Sequence, residues 1–175
     1  MTEQNSPDGT DVFIGLGSNI EARANLPRGL RALAERVRLV GVSRVYETDP
    51  VDAPGTPMYL NAAVRARTAM DPETLKHTLL QLEEQLGRVR VPGYKSAPRE
   101  IDYDLLLYGD EVLRDGAGSV VVPHPDIAQH AYVALPLSDL APEKTHPMLH
   151  KTLGELAAPF TGSPGVRPIE LDLAL

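Results

Sequence analysis

Apolar residues along the chain recur at two periods, and the changes between them lay out the elements. Asp11 to Gly17 is a short apolar run ending in glycines and predicts a buried strand. Leu26, Leu30, Leu33 and Val37 follow at helical spacing, with Asn25 read as the cap and Pro27 in the first turn. The Val-rich stretch from Leu39 to Thr48 predicts a second strand, closed by Asp49-Pro50, and Leu60 to Thr68 a third. Asp71, Pro72 and Glu73 form a helix start, Leu75, Leu79, Leu82 and Leu86 give one apolar stripe, and Gly87 ends it. Glu100 to Tyr108 predicts a fourth strand and Val120 to Val122 a fifth, short one. Helical patterns then cover about Ile127 to Leu140 and Leu149 to Ala158.

The order strand, helix, strand, strand, helix, strand predicts an α+β, ferredoxin-like βαββαβ sheet with two helices on one face, plus a C-terminal hairpin and helix additions. The opposite face is expected to stay free for loops or ligand. A single domain is expected over residues 11–160, with 1–10 a disordered leader and 161–175 a tail in which Ile169, Leu171 and Leu173 alternate with acids.

Composition narrows the partners. The chain has 175 residues, 42% hydrophobic and 23% charged, which is a globular balance. Seventeen basic against twenty-four acidic residues leave a net charge of −7, which disfavours long nucleic acid and anionic membrane as partners. With no cysteine, disulfides, thiol catalysis and thiolate metal sites are excluded. The polar first ten residues lack a signal-peptide core, and a cytoplasmic location is expected.

Against the acidic background, residues 88 to 99 carry four basic side chains and no acid, and Pro92-Gly93 and Pro98 make this stretch a loop. Directly after it, Asp102 and Asp104 stand two apart on a strand, so both point to one face with β-carbons about 7 Å apart. A lone pair of this spacing more often simply faces water, as Glu170 and Asp172 in the tail are read to do. Beside a basic loop, oxygen-only ligands suit Mg²⁺ carrying substrate phosphates. Tyr59 and Asn61 share a face by the same spacing, and an amide with a ring suits a flat heterocycle, although an ordinary half-buried pair would look alike. Gly15-Leu-Gly17 begins like a dinucleotide fingerprint but lacks the third glycine; it is read as a tight turn near a ligand. His146 and His150 stand at i, i+4 without a third ligand and are read as surface residues.

At these residues the chain resembles the 6-hydroxymethyl-7,8-dihydropterin pyrophosphokinase family of folate biosynthesis. The resemblance runs from about Val12 to Ala158. It is carried by Gly15-Leu-Gly-Ser-Asn19, Tyr46-Glu-Thr-Asp-Pro50, Tyr59-Leu-Asn-Ala-Ala63, Leu82 to Arg90, Pro98 to Gly109 and Val122-Pro-His-Pro125. It implies transfer of pyrophosphate from ATP to the pterin hydroxymethyl group, leaving AMP. It further implies that Asp102 and Asp104 hold two Mg²⁺ ions and that Arg88 and Arg99 are catalytic. Glu83, Arg90, Asp102, Asp104 and His124 would bind ATP; Thr48, Val51, Tyr59, Asn61, Asp102 and Tyr132 would bind the pterin. The expected protein is a monomer acting on ATP and a reduced pterin, with room for other folate-pathway enzymes at its surface.

Several positions depart from the family pattern. Ser96-Ala97 stand where Trp-Gly is usual, Tyr103 replaces an aliphatic residue between the aspartates, and Ser119 and His130 stand where basic residues are expected. Slower turnover is the expectation. The alternatives are a catalytically impaired pterin- or nucleotide-binding module of the same fold, a dinucleotide-dependent oxidoreductase and, more remotely, an RNA-binding ferredoxin-like domain.

Overall fold

A computed structural model describes residues 9–50, 55, 57–90, 93 and 97–173. Strand β1 (Thr10–Ser18) lies in the middle of an antiparallel sheet, between β4 (Tyr59–Thr68) and β5 (Asp102–Tyr108). Two shorter strands share the other edge of β4: β2 (Arg38–Val42) along its second half and β3 (Val45–Thr48) along its first. With α1 (Ala22–Ala34) and α2 (Pro72–Gln85), these strands form the ferredoxin-like α+β plan expected from the element order.

The single strand expected over Leu39 to Thr48 is two. At the break, the Ser43 hydroxyl accepts from Ala63 N at 2.8 Å and donates to Arg44 O at 2.7 Å. Helix α1 begins earlier than expected, on Glu21 in the left-handed region (φ 41°), and Asn25 lies inside it rather than capping it. The Asn25 amide turns back to donate to Ile20 O at 2.8 Å, so the residue still satisfies the helix entrance from one turn further in. Helix α2 starts as expected: Asp71 accepts from Thr74 N at 2.9 Å with Pro72 in the first position.

Both helices cover one sheet face. Leu26, Leu30, Leu33, Leu75, Leu79 and Leu82 interdigitate there with Val12, Ile14 and Leu16 of β1. The other face is not left free. After a hairpin of β6 (Leu113–Arg114) and β7 (Val120–Val122), the helical pattern from Ile127 breaks into a 3₁₀ turn (Pro125–Ala128) and α3 (Ala131–Leu140). A one-turn helix, α4 (Leu153–Ala157), shorter than the stretch expected from Leu149 to Ala158, follows. Val133 and Leu137 of α3, with Ile127 and Leu153, bury Phe13, Leu106 and Leu107 in a second core. Asp139 at the end of α3 grips the start of β3, pairing with Arg44 Nη2 at 2.7 Å and accepting from the Tyr46 hydroxyl at 3.1 Å. The apolar pattern over 127–140 signalled the helix but not which face it would cover. No helix among the described residues is long and apolar enough to cross a membrane.

The stretch 161–175, read from sequence as a tail, supplies a further strand. β8 (Val166–Ile169) pairs antiparallel with β3, and Ile169, Leu171 and Leu173 pack against the main core.

Candidate active site

The half of the second face that α3 leaves open is a cleft of about 470 Å³. Its floor follows from the strand register. Gly17 of β1 lies opposite Asp102 of β5 on one side and Asn61 of β4 on the other, and Gly15 lies opposite Asp104 and Ala63. Residues paired across antiparallel strands share a face, so Asp102, Asp104 and Asn61 project into one space over two residues that have no side chain. A β-carbon on Gly17 would stand 3.0 Å from the Asn61 amide oxygen. The two glycines therefore lie within a strand as cleft floor, not in the tight turn expected.

Asp102 is held between two arginines. One carboxylate oxygen accepts from Arg88 and the other from Arg99. Burial works against its charge, but the two guanidinium groups win and hold it below the usual carboxylate range. Beneath it, Glu83 of α2 is almost fully buried, and its Oε2 pairs with Arg88 at 2.7 Å and Arg90 at 2.5 Å. The other Glu83 oxygen accepts from Tyr103 N at 2.9 Å, between the two aspartates. Burial, and then the neighbouring Asp102, push Glu83 up despite these partners. Glu83 thus lies under the arginines, outside the cleft lining, and ties the loop's start to β5.

The loop's far end is fixed by Asn19, whose side-chain oxygen accepts from Arg99 N at 2.8 Å, while Arg99 O accepts from the amides of Asn19 and Ile20. The Gly-Leu-Gly-Ser-Asn motif therefore delivers both floor and loop anchor.

Asp104 has a different setting. Half of its side-chain surface is open, and among the described residues its one ion-pair partner within 4 Å would be the His124 imidazole, with Nε2 at 3.9 Å. Desolvation, then Asp102 and Asp126, push its carboxyl up to about 7. The His124 ring is oriented by the backbone two residues on: Nδ1 accepts from Asp126 N at 3.3 Å, which leaves Nε2 as the protonated nitrogen facing Asp104. Burial pushes His124 down, toward the neutral form.

Asp104 and His124 also line a second cavity of about 340 Å³, walled by Lys76, Leu79 and Leu80 of α2, Leu105 of β5 and Val120 and Val121 of β7. The two cavities thus meet at one carboxylate and one imidazole.

On the far wall of the main cleft, Asn61 is buried and its amide donates to Thr48 Oγ1 at 2.8 Å, fixing which end of the amide faces inward. Tyr59 and Tyr132 line the same cleft from β4 and α3. The Tyr132 hydroxyl donates to Asp126 at 3.2 Å, and its ring stacks on His130 with centroids 5.0 Å apart. Among the expected residues, Val51 lies outside the described residues, as does Ser96 of the loop. The structure brings Thr48, Tyr59, Asn61, Arg99, Asp102, Asp104, His124 and Tyr132 to one cleft, and sets Glu83, Arg88 and Arg90 in the ion-pair network behind it.

Three cleft residues escaped the sequence reading. Asp49 and Asp126 line the cleft, and Lys76 the second cavity. Asp126 stands two residues beyond His124, close enough to have been noticed; nothing in the sequence pairs Lys76 with β7. His146 is buried rather than a surface residue, with Nδ1 accepting from the amides of Met148 and Leu149, both at 3.2 Å. Among the described residues, no three His, Asp or Glu side chains converge as a closed metal cage.

Comparison with known proteins bears on this geometry. A family model described as 7,8-dihydro-6-hydroxymethylpterin-pyrophosphokinase matches residues 13–142. A 2-amino-4-hydroxy-6-hydroxymethyldihydropteridine pyrophosphokinase of Aquifex aeolicus is 32% identical over 154 residues, covering 87% of this chain and 94% of that protein. The enzyme of the same name from Bacillus subtilis is 35% identical over 132 residues, 74% of this chain and 77% of its own. The folic acid synthesis protein fol1 of Pneumocystis carinii is 31% identical over 150 residues, and the match spans only 20% of its length. Among solved structures, wild-type HPPK-DHPS of Plasmodium falciparum superposes with a TM-score of 0.70 at 14% identity, over 96% of this chain and 49% of that one. That likeness establishes the fold.

Proposed function

The chain belongs to the 7,8-dihydro-6-hydroxymethylpterin-pyrophosphokinase family, and we propose that it transfers the β,γ-pyrophosphoryl group of ATP to the hydroxymethyl oxygen of 6-hydroxymethyl-7,8-dihydropterin. The hydroxymethyl oxygen bonds to the β-phosphorus, the bond from that phosphorus to the bridging α,β-oxygen breaks, AMP leaves, and the hydroxyl proton passes to solvent. Its relatives of that name from Aquifex aeolicus and Bacillus subtilis support the reaction class. The observation that carries the reading is the meeting of two cavities at Asp104 and His124. A transfer between two substrates needs adjoining sites with the transferred group at the boundary.

In this reading the pterin lies in the main cleft, its edge read by the Asn61 amide and its ring between Tyr59 and Tyr132. The nucleotide lies along the second cavity, its base against Leu79, Leu80 and Val121. The donor set fits Mg²⁺. Asp104 is a carboxylate beside two others, with no ion pair within hydrogen-bond reach among the described residues, and a divalent cation supplies what offsets that repulsion. Asp102 and Asp104 would hold two such ions, with phosphates and water filling the remaining positions. Bound there, Mg²⁺ neutralises charge on the phosphates and favours the ionised hydroxyl.

The chain's own groups do the rest. Arg99 lines the cleft and Arg88 stands directly behind it, both already oriented by Asp102, so little reorganisation is needed when charge builds on the transferred group. His124 offers a neutral N–H donor at the boundary. The test is to incubate the full chain with ATP, Mg²⁺ and the reduced pterin and to resolve the nucleotides. AMP and pterin diphosphate should appear one for one; ADP as product, or no nucleotide turnover dependent on the pterin, overturns the reading.

A further inference from the structure

The main cleft has a wall that depends on chain far beyond it. Thr48, which orients the Asn61 amide, is the last residue of a four-residue strand, and Asp49 of the cleft rim follows directly. On its inner side β3 pairs with β4 through only Tyr46, Glu47 and Thr48. A strand so short, left as an edge, opens easily at its end.

β8 removes that weakness. It pairs with β3 over its whole length, Val45 opposite Ile169 and Thr48 opposite Val166. The contact runs one residue past the strand, where Asp49 N donates to Gly165 O at 2.9 Å. Arg167 pairs across the strands with Glu47, its Nε 2.8 Å from the carboxylate. Gly165 is fitted to its place twice. Its φ of +77° is one that L side chains rarely adopt, and an added β-carbon would lie 2.6 Å from Asp49 Oδ2. Ile169, Leu171 and Leu173 anchor the segment to the main core, so the brace is held from beneath.

We infer that the C-terminal segment 165–169 is a positioning element for the heterocycle-binding wall, holding Thr48 and Asp49 in register with Asn61. The inference rests on the pterin assignment of the main cleft. It predicts a selective effect, because β8 touches the strand that carries that wall and does not line the second cavity.

The experiment compares Gly165→Ala with Gly162→Ala in the full chain. Gly162 also has a positive φ, +74°, but its β-carbon would enter open space, so it reproduces the backbone strain without the contact to Asp49. Gly165→Ala should raise KM for the reduced pterin by about five-fold or more, with KM for ATP and kcat little changed, and Gly162→Ala should leave all three near wild type. Arg167→Glu sets like charges opposite one another on β8 and β3, loosens the same pairing, and should show the same split more weakly. It decides the matter if Gly165→Ala does not fold. An unchanged pterin KM in the folded variants, or equal rises for pterin and ATP, overturns the inference. Wild-type protein that yields no AMP overturns the proposed reaction instead, and calorimetric titration with the pterin alone then tests whether the wall binds it.

Discussion

The Tyr103 hydroxyl donates to the carbonyl of Gly29 at 2.7 Å, joining the start of β5 to the middle of α1. Tyr103 stands between Asp102 and Asp104, and strand alternation turns it away from the cleft into the helix layer. Gly29 is what admits it: a β-carbon there would lie 2.6 Å from Ile101 Cδ1 and 3.1 Å from the Tyr103 hydroxyl. The departure from an aliphatic residue at 103 is thus matched by a helix glycine and leaves the carboxylate pair untouched.

In an open helix position, Gly29→Ala would gain about 1 kcal/mol from propensity. Here the overpacking against Ile101 reverses the sign, and a net loss of about 1–2 kcal/mol is expected, seen as a lower Tm. Tyr103→Phe should lose about 1 kcal/mol with the buried hydrogen bond. Gly29 lines neither cavity, and Tyr103, which lines the second, loses only the hydroxyl bonded to Gly29, so kcat below the melting transition should stay at the wild-type value. A fall in kcat without a fall in Tm would contradict the separation of the two faces.

The two aspartates should respond differently to the same substitution. Asp104→Asn removes a half-open carboxylate that is repelled by Asp102 and Asp126, so Tm should hold or rise while turnover falls by about a hundredfold or more. Asp102→Asn takes the charge from the partner shared by Arg88 and Arg99, so turnover and Tm should fall together, the latter by an amount corresponding to about 2 kcal/mol. Steady-state assays paired with thermal denaturation check both, and an equal loss of Tm in the two variants would refute the distinction.

Glu83 separates charge from hydrogen bonding. Glu83→Gln keeps an acceptor for Tyr103 N but loses the charge facing Arg88 and Arg90, whereas Glu83→Ala also leaves Tyr103 N without its acceptor and Arg88 with Asp102 alone. Stability should fall from wild type to Gln to Ala, with the Ala variant losing about 3 kcal/mol as expected for a broken buried pair. Chemical denaturation of the three proteins measures the order, and a Gln variant less stable than the Ala variant would overturn it.

What the sequence made legible is local and periodic. The cap at Asp71, the common face of Asp102 and Asp104, and the common face of Tyr59 and Asn61 follow from spacing alone, because helix and strand periods fix direction. What it hid depends on contacts between distant segments. The turn of Asn25 back to Ile20, the break at Ser43, the seating of α3 over Phe13 and the pairing of 166–169 with β3 are each decided by a partner elsewhere in the chain. Glu83 shows the limit within the site. The family resemblance marked it as an ATP-binding residue, but only the folded chain brings it under both arginines.

His146 makes stability depend on pH in a way that can be assigned. Its ring is buried, and Nδ1 accepts two backbone amides, from Met148 and Leu149, which only the form with an unprotonated Nδ1 can do. Burial, with a further push from the nearby His150, lowers its pKa below the value of about 6.5 for an unfolded chain. Below that value the unfolded chain binds a proton that the folded chain resists. Stability from this group is therefore complete above about pH 6.5 and is lost as the pH falls. His124 shifts in the same direction, so the wild-type acid limb contains both contributions. His146→Asn keeps an acceptor oxygen but has no proton to take up. It should melt lower than wild type at about pH 7.5 and yet lose less Tm between about pH 7.5 and about pH 5.5. Parallel melting curves for the two proteins across that range would show that His146 titrates alike in the folded and unfolded chain, and would remove it as a source of acid sensitivity.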